Sequence, residues 1–282
     1  MLSTAESTDL AGEIRAEIES NKIQLPTLPE VALKVRDAVE SESTDAGKIA
    51  AMVGNDAALS ARLLQVANSP LYRGRVEIDS IQQAVTRLGL KMVRSLVVSL
   101  AMKQIFQATS DALDRQFRKI WDDSLQVAAI SRVLANQVAE LENEQAMLGG
   151  LIHNIGALPI LTKIDERWGW EANDALISEL IEELAPELGA RILEHWNFAE
   201  SLRNIPTACQ DLSYDPGPFP TYADIVLVAR LQHLATGGGA GPQADWSSVP
   251  SFAKIGMDTE VVIIDMEGPA EEIAEVRNML EG

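Results

Sequence analysis

Apolar residues recur at steps of three and four along most of the chain, which is the spacing of one face of an amphipathic helix. Clear examples are Leu28, Val31, Val35 and Val39 and, further along, Val127, Ile130, Leu134 and Val138. The alternation typical of strands is scarce, and the stretch 260–265 is open to either a strand or a buried helical turn. The pattern therefore predicts an all-α, multi-helical protein.

Local signals mark where the predicted helices begin and end. Thr27-Leu28-Pro29-Glu30 and Ser80-Ile81-Gln82-Gln83 both have the pattern of a capping box, in which side chains satisfy the first backbone N–H groups. Gly89 predicts a pause between two helices. Ala185-Pro186 predicts a junction between two more, because proline inside a helix removes one hydrogen bond and crowds the preceding turn.

Composition narrows the functional classes. The 282 residues are 46% hydrophobic, which is enough for a large core. The net charge of −19 argues against coating of DNA or of an anionic membrane through bulk charge. Cys209 is the single cysteine, so an internal disulfide and a thiolate metal cage are excluded. Residues 1–20 lack the apolar run of a signal peptide, and we expect a cytoplasmic protein without a membrane span.

The most informative motif is Gly149-Gly150-Leu151-Ile152-His153-Asn154-Ile155-Gly156. It resembles the pattern Gly-Leu-Leu-His-Asp-Ile-Gly-Lys of the HD superfamily of metal-dependent phosphohydrolases, with Asn154 at the aspartate and Ala157 at the lysine. Other segments, in order along the chain, resemble the HDOD family, the HD-related output domain of bacterial signalling proteins. These segments cover 25–30, 55–64, 67–69 and 81–90, and the similarity extends over roughly 23–234.

The resemblance implies a fold and an organisation. An HDOD protein has an N-terminal helical subdomain packed on an HD-like half, and a regulatory role in place of hydrolysis. On this basis the chain divides into an acidic N-terminal helix over 1–22, an N-terminal HDOD subdomain over 23–114, an HD-like helical half over 115–236, and a linker with a C-terminal extension over 237–282.

The resemblance also locates the positions of the former HD site. A metal phosphohydrolase needs several imidazoles and carboxylates to hold its cations. Four positions where the family pattern has ligands carry other residues here: Asp123, Ala185, Ala208 and Cys209. His153 keeps its identity, and Asn154 is a neutral amide that cannot bridge two cations. We therefore treat Asp123, His153 and Asn154 as vestigial site positions and predict no catalytic residue, no metal and no cofactor. His153 is expected to be a core histidine bonded to a backbone carbonyl, to Asn154 or to Asp123.

A second feature is a basic segment over 62–103, with a net charge of +5 against −24 for the remainder of the chain. Its bases are Arg62, Arg73, Arg75, Arg87, Lys91, Arg94 and Lys103. They can pair with the acidic remainder, or Arg87, Lys91 and Arg94 can contact a nucleotide or another phosphorylated ligand. A helix-turn-helix around Gly89 is disfavoured, because the following helix is too apolar to serve as a recognition helix.

The leading hypothesis is a non-catalytic bacterial regulatory module of the HDOD type. It would bind a signalling protein in trans, or a nucleotide or other small signal, through its N-terminal helices and a cleft lined near Asp123, His153 and Asn154. One alternative is a divergent metal-dependent phosphohydrolase of the HD superfamily. Another is nucleotide or nucleic-acid binding through the 62–103 segment, although the charge makes nucleic acid a poor candidate.

Overall fold

The structure is a computed structural model that describes residues 4–20, 22–41, 44–72, 74, 76–106, 110–168, 174–238 and 245–281. Within these ranges the regular structure is helical and no strand occurs, which confirms the all-α prediction. The α-helices, in chain order, are α1 (Thr4–Glu19), α2 (Glu30–Glu40), α3 (Ala46–Val53), α4 (Ala57–Ala67), α5 (Ile81–Leu88), α6 (Leu90–Ile105), α7 (Asp111–Ala135), α8 (Asn143–Ile152), α9 (Ala157–Trp168), α10 (Asp174–His195), α11 (Glu200–Arg203), α12 (Ile205–Ala208), α13 (Tyr222–His233), α14 (Pro250–Lys254) and α15 (Pro269–Glu281).

Helices α2 to α6 form one packed group, in which α6 contacts α2, α4 and α5. The Ser80 hydroxyl accepts a hydrogen bond from the Gln83 N–H, as the capping pattern predicted. Gly89 separates α5 from α6 with a φ of 78°, a left-handed backbone that favours glycine. The expected cap at Thr27 is wrong: Pro29 is the N-cap residue of α2 and makes no side-chain capping bond.

Helix α7 contacts α8, α9, α13 and α15, and α10 packs on α9, α11 and α12. Helices α7 and α8 approach each other closely at Gly150. A Cβ added to Gly150 would lie 2.6 Å from the Ala128 Cα, closer than real Cβ atoms come. The two helices therefore lie so close together at this position that only glycine fits.

The predicted junction at Ala185-Pro186 is wrong, because α10 runs through it as one helix with Pro186 inside. Proline removes a single N–H donor, and its cost is offset where the helix is held on both sides by packing. Leu184 and Leu188 flank the proline and are both buried in the core. Tertiary packing thus overrides the local signal.

The C-terminal extension is packed against both groups of helices. Helix α15 lies on α7, where the Arg132 guanidinium bonds the Glu272 carboxylate at 2.7 Å. Its C-terminal carbonyls accept hydrogen bonds from the N-terminal group, Arg62 bonding the Met279 carbonyl and Lys103 the Glu281 carbonyl. Just before it, the ambiguous stretch 260–265 contains a 3₁₀ turn.

One continuous stretch, Asn143–Glu166, is long and apolar enough to cross a membrane by length and composition. It comprises α8 and most of α9, and 83% of its most apolar window is buried inside the structure. The stretch therefore belongs to the helical core.

The second close approach, at Gly156, predicts a destabilising substitution. A Cβ at Gly156 would overlap the Ala185 carbonyl oxygen and lie 2.5 Å from the Gly189 nitrogen, both backbone atoms of α10. We expect Gly156→Ala to lower the free energy of unfolding by about 1–3 kcal/mol, measured by urea denaturation. Gly12→Ala is the control: a Cβ there meets nothing within 4 Å, so alanine should leave stability unchanged or raise it slightly. Equal stabilities of wild type and Gly156→Ala would contradict the close contact.

Candidate functional site

The former HD positions converge where α13 packs on α7, α8 and α12. Asp123 lies on α7, His153 is the C-cap residue of α8, and Cys209 is the C-cap residue of α12. Arg230 and His233 lie three residues apart on α13, so their side chains share one helix face. The site thus draws on four helices, three of which neither carry nor adjoin the Gly149–Gly156 motif along the chain.

His153 is a buried, neutral histidine. Its Nδ1 lies 2.6 Å from the Gly150 carbonyl oxygen, to which it donates, so the expected backbone partner is confirmed. Burial lowers the pKa of His153 from 6.5 to about 4; the bond to Gly150 opposes this shift, and the positive charge of Arg230 adds to it.

Asp123 contacts a histidine other than the expected one. Its Oδ1 lies 3.0 Å from Nε2 of His233, and both side chains are partly buried. No hydrogen bond joins Asp123 to His153 among the described residues, although the Asp123 charge raises the pKa of His153. Sequence reasoning did not identify His233, since no motif position or spacing connects residues 110 positions apart.

Arg230 is the second residue that the sequence motifs missed. It is half-buried, and in the described part of the chain it has no hydrogen bond and no ion pair. Its positive charge lowers the pKa values of both His153 and Cys209. A positive charge on α13 therefore acts on two of the positions that correspond to ligands in the HD pattern.

Cys209 and Ala185 do not provide ligands. Burial raises the pKa of the Cys209 thiol to about 11, so the thiolate that a metal needs is disfavoured. The Cys209 Sγ donates a weak hydrogen bond to the Pro206 carbonyl at 3.7 Å. Ala185 packs its backbone against Gly156.

The residues present do not fit the metal that an HD superfamily site implies. Across the described ranges, no three His, Cys, Asp or Glu side chains are grouped so that they could hold a metal ion. The Asp123 carboxylate is bonded to His233, and one ring nitrogen of His153 is bonded to Gly150. The charge of Arg230 would also repel a cation. The half-buried Asn154 side chain makes no hydrogen bond within the described structure.

Arg73 and Arg75 lie outside the described residues, and the other bases of the 62–103 segment contact other parts of the protein. Arg87 donates to the Ala67 carbonyl at 3.2 Å and to the Val76 carbonyl at 2.8 Å. Lys91 forms an ion pair with Glu142.

Arg94 is the most buried of these three bases. It bonds Gln145 and lies 3.8 Å from the Glu40 carboxylate. Burial lowers the pKa of Arg94, while Glu40 opposes that shift. In these contacts the three bases pair with other groups of the protein, which is the first of the two alternatives for the basic segment. None of the contacts involves the former HD positions.

A cavity of about 440 Å³ lies between the start of the chain and the HD-like half. Its walls include Glu17, Leu25, Ile105, Phe117 and Lys163. The cleft was expected to be lined near Asp123, His153 and Asn154, and these residues are not in the walls of this cavity.

The buried state of His153 predicts a pH dependence of stability. His153 has a pKa of about 4 in the folded protein against an ordinary value of 6.5, so between these pH values the unfolded chain binds a proton that the folded chain does not. The stability that the neutral His153 contributes to the fold is therefore present above pH 6.5. It is lost as the pH falls toward 4, a change of about 3 kcal/mol in the free energy of unfolding. We expect His153→Gln to have a flatter profile of unfolding free energy against pH over this window. The exposed His195→Gln is the control, and parallel profiles for wild type and His153→Gln would contradict the prediction.

Comparison with solved structures supports the fold assignment. A protein from Shewanella amazonensis SB2B named "Putative metal-dependent phosphohydrolase" is 26% identical, with a TM-score of 0.84 over 98% of this chain and 100% of that one. An HDOD domain protein of unknown function from Geobacter sulfurreducens is 20% identical, with a TM-score of 0.68 over 99% of this chain and 98% of that one. A "Putative signal transduction protein" from Marinobacter aquaeolei VT8 is 20% identical, with a TM-score of 0.67 over 99% of this chain and 66% of that one.

Comparison of sequences assigns the family. An uncharacterized protein from Treponema pallidum (strain Nichols) is 25% identical over 244 residues, which are 80% of this chain and 44% of that protein. The chain thus spans less than half the length of this relative. The family model for the HDOD domain matches residues 25–211, about two thirds of the chain. The protein is therefore a member of the HDOD domain family.

Proposed function

We propose that this protein is a non-catalytic regulatory module that acts by binding a signalling protein or a small signal. The observation that carries the proposal is the state of the former HD site. Asp123 is bonded to His233, His153 is neutral and bonded to a backbone carbonyl, and the positive charge of Arg230 acts on His153. Hydrolysis by a metal-activated water needs several free ligands, whereas the Asp123 carboxylate and one ring nitrogen of His153 already have partners within the protein.

The relatives support a signalling role without deciding it alone. One structural relative is named as a signal transduction protein and another as a metal-dependent phosphohydrolase, so the names favour both classes. The proposal therefore rests on the side chains of this protein and not on the name of either relative. In this view the protein works in the cytoplasm and meets its partner in trans.

Metal analysis tests the proposal directly. Protein purified without a histidine tag and without chelator is expected to contain no stoichiometric transition metal, because the donors are too few. Added Mn²⁺ or Mg²⁺ should leave its Tm unchanged, and phosphodiester and nucleotide substrates should show no turnover. The measurement is elemental analysis per mole of chain, with a chelator-treated sample as the control.

The opposite result would favour the alternative, a divergent phosphohydrolase. One equivalent of metal that His153→Ala removes, together with metal-dependent turnover that the same variant abolishes, would refute the proposed function. His195→Ala is the matched control, because His195 is exposed and outside the site.

Nucleotide binding through Arg87, Lys91 and Arg94 stays a prediction. A groove beside Arg87, lined also by Val76 and Gln83, is the feature that favours it. Lys91→Gln is the mildest test, since Lys91 is exposed and its Glu142 ion pair contributes little to stability. The hypothesis predicts weaker nucleotide affinity for Lys91→Gln than for the exposed control Lys34→Gln, measured by calorimetry. Unchanged affinity for every nucleotide tested, in this variant and in the triple alanine variant of Arg87, Lys91 and Arg94, would remove it.

A further inference from the structure

The charge of Arg62 differs from that of the other buried arginines in its surroundings. Arg36, Arg94 and Arg132 are also buried, and each forms an ion pair with a carboxylate. Arg62 is 6% exposed and forms no ion pair in the described part of the chain. Buried charges are normally compensated, because removing them from water is costly. The guanidinium of Arg62 is therefore a buried cation that lacks an opposite charge.

The hydrogen bonds of Arg62 go to neutral acceptors. Its Nη1 donates to the Gln65 side-chain oxygen at 2.8 Å, and its Nη2 donates to the Met279 carbonyl near the end of α15. Burial lowers the pKa of Arg62, and among the described groups no carboxylate opposes this shift, as Glu40 does for Arg94. The two bonds orient the guanidinium and leave some of its N–H groups without an acceptor in the described structure.

Arg62 lines a cavity of about 230 Å³ between α4 and α15. Ser69 is also in the wall, together with the apolar side chains of Val66, Leu71 and Met279. The hydroxyl oxygen of Ser69 is shielded from solvent and has no hydrogen-bond partner among the described residues. A buried polar group without a partner is costly, so this wall offers both a positive charge and an unused hydroxyl to a ligand.

The same cavity has a carboxylate in its wall. Glu275 is exposed on α15 and forms no ion pair within the described structure. A bare anion bound to Arg62 would be repelled by Glu275, whereas a ligand with one charge of each sign would be attracted by both residues. The volume lies below the roughly 300 Å³ at which pockets for drug-sized ligands begin, so it suits a small molecule. None of the former HD positions lines this cavity.

We infer that the cavity between α4 and α15 binds a small zwitterion with an apolar side chain, that is, an amino acid. This inference rests on the proposed function, since it names the chemical class of the small signal. Arg62 binds the carboxylate through two N–H groups, the Ser69 hydroxyl adds a hydrogen bond, and Glu275 binds the ammonium. Val66 and Met279 surround the apolar side chain. Because the ligand contacts both helices, its binding fastens α15 to α4.

L-Valine, L-leucine and L-methionine are the probes, titrated into the full chain and followed by calorimetry and by the shift in Tm. Two ligands similar in shape to leucine separate its charges: isocaproate keeps the carboxylate and lacks the ammonium, and isoamylamine keeps the ammonium and lacks the carboxylate. Leucine is expected to bind saturably and to raise the Tm. Each ligand with a single charge should bind more weakly by about tenfold or more, because one charge-assisted hydrogen bond is lost.

Substitutions in the cavity wall separate the two charges of the site. Glu275→Gln should weaken leucine binding by about fivefold or more and leave isocaproate binding unchanged or tighter, because the repulsion of a bare anion is removed. Glu271→Gln is the matched control: Glu271 is exposed on the same helix, changes the net charge equally and does not line the cavity. Arg62→Lys should weaken both leucine and isocaproate by about tenfold, because lysine cannot replace a bidentate guanidinium.

The outcomes separate this inference from the proposed function. No saturable binding of any of the three amino acids, or equal leucine affinity for wild type and Glu275→Gln, would overturn the zwitterion site while leaving the non-catalytic role intact. Isocaproate binding as tight as that of leucine would overturn it too. If Arg62→Lys fails to fold, the comparison of Glu275→Gln with Glu271→Gln decides alone. Leucine binding by a protein whose metal-dependent turnover is abolished in His153→Ala would support the site and refute the proposed function.

Discussion

The close contact between α7 and α8 is the constraint on which the site depends. Gly150 allows the backbone of α8 to approach Ala128 of α7 more closely than any side chain would permit. This contact holds His153, at the end of α8, beside the helix that carries Asp123. Helix α13 then packs on both and adds its own side chains. The arrangement of the former HD positions thus follows from helix packing.

Charge pairing explains how an acidic chain accommodates the described bases of the 62–103 segment. Lys91 pairs with Glu142, and Arg62 and Lys103 bond the last carbonyls of α15, where the helix dipole is negative. Exposed pairs of this kind contribute little energy singly, whereas buried cations must have acceptors for the fold to be stable. These contacts link the N-terminal helices to the HD-like half and to the C-terminal extension.

In this site, other side chains of the protein stand at positions where the HD pattern has metal ligands. In the HD pattern, carboxylates and imidazoles gather around cations; here an imidazole pairs with the carboxylate and a guanidinium provides the positive charge. On our proposal, this HDOD member serves recognition in place of metal-dependent hydrolysis.

Apolar spacing and local capping determined much of the fold, because helices of this length are specified by residues three and four positions apart. The motif around His153, together with the segments 25–30, 55–64, 67–69 and 81–90, was sufficient to indicate the family. The sequence misled where a local rule met stronger packing, as at Pro186, which lies inside α10 between buried leucines. Only the tertiary structure placed His233 on Asp123, since α13 is far from the motif along the chain and no local periodicity links them. The helices could be predicted because their interactions are local, and the chemistry of the site could not, because it arises from contacts between distant helices.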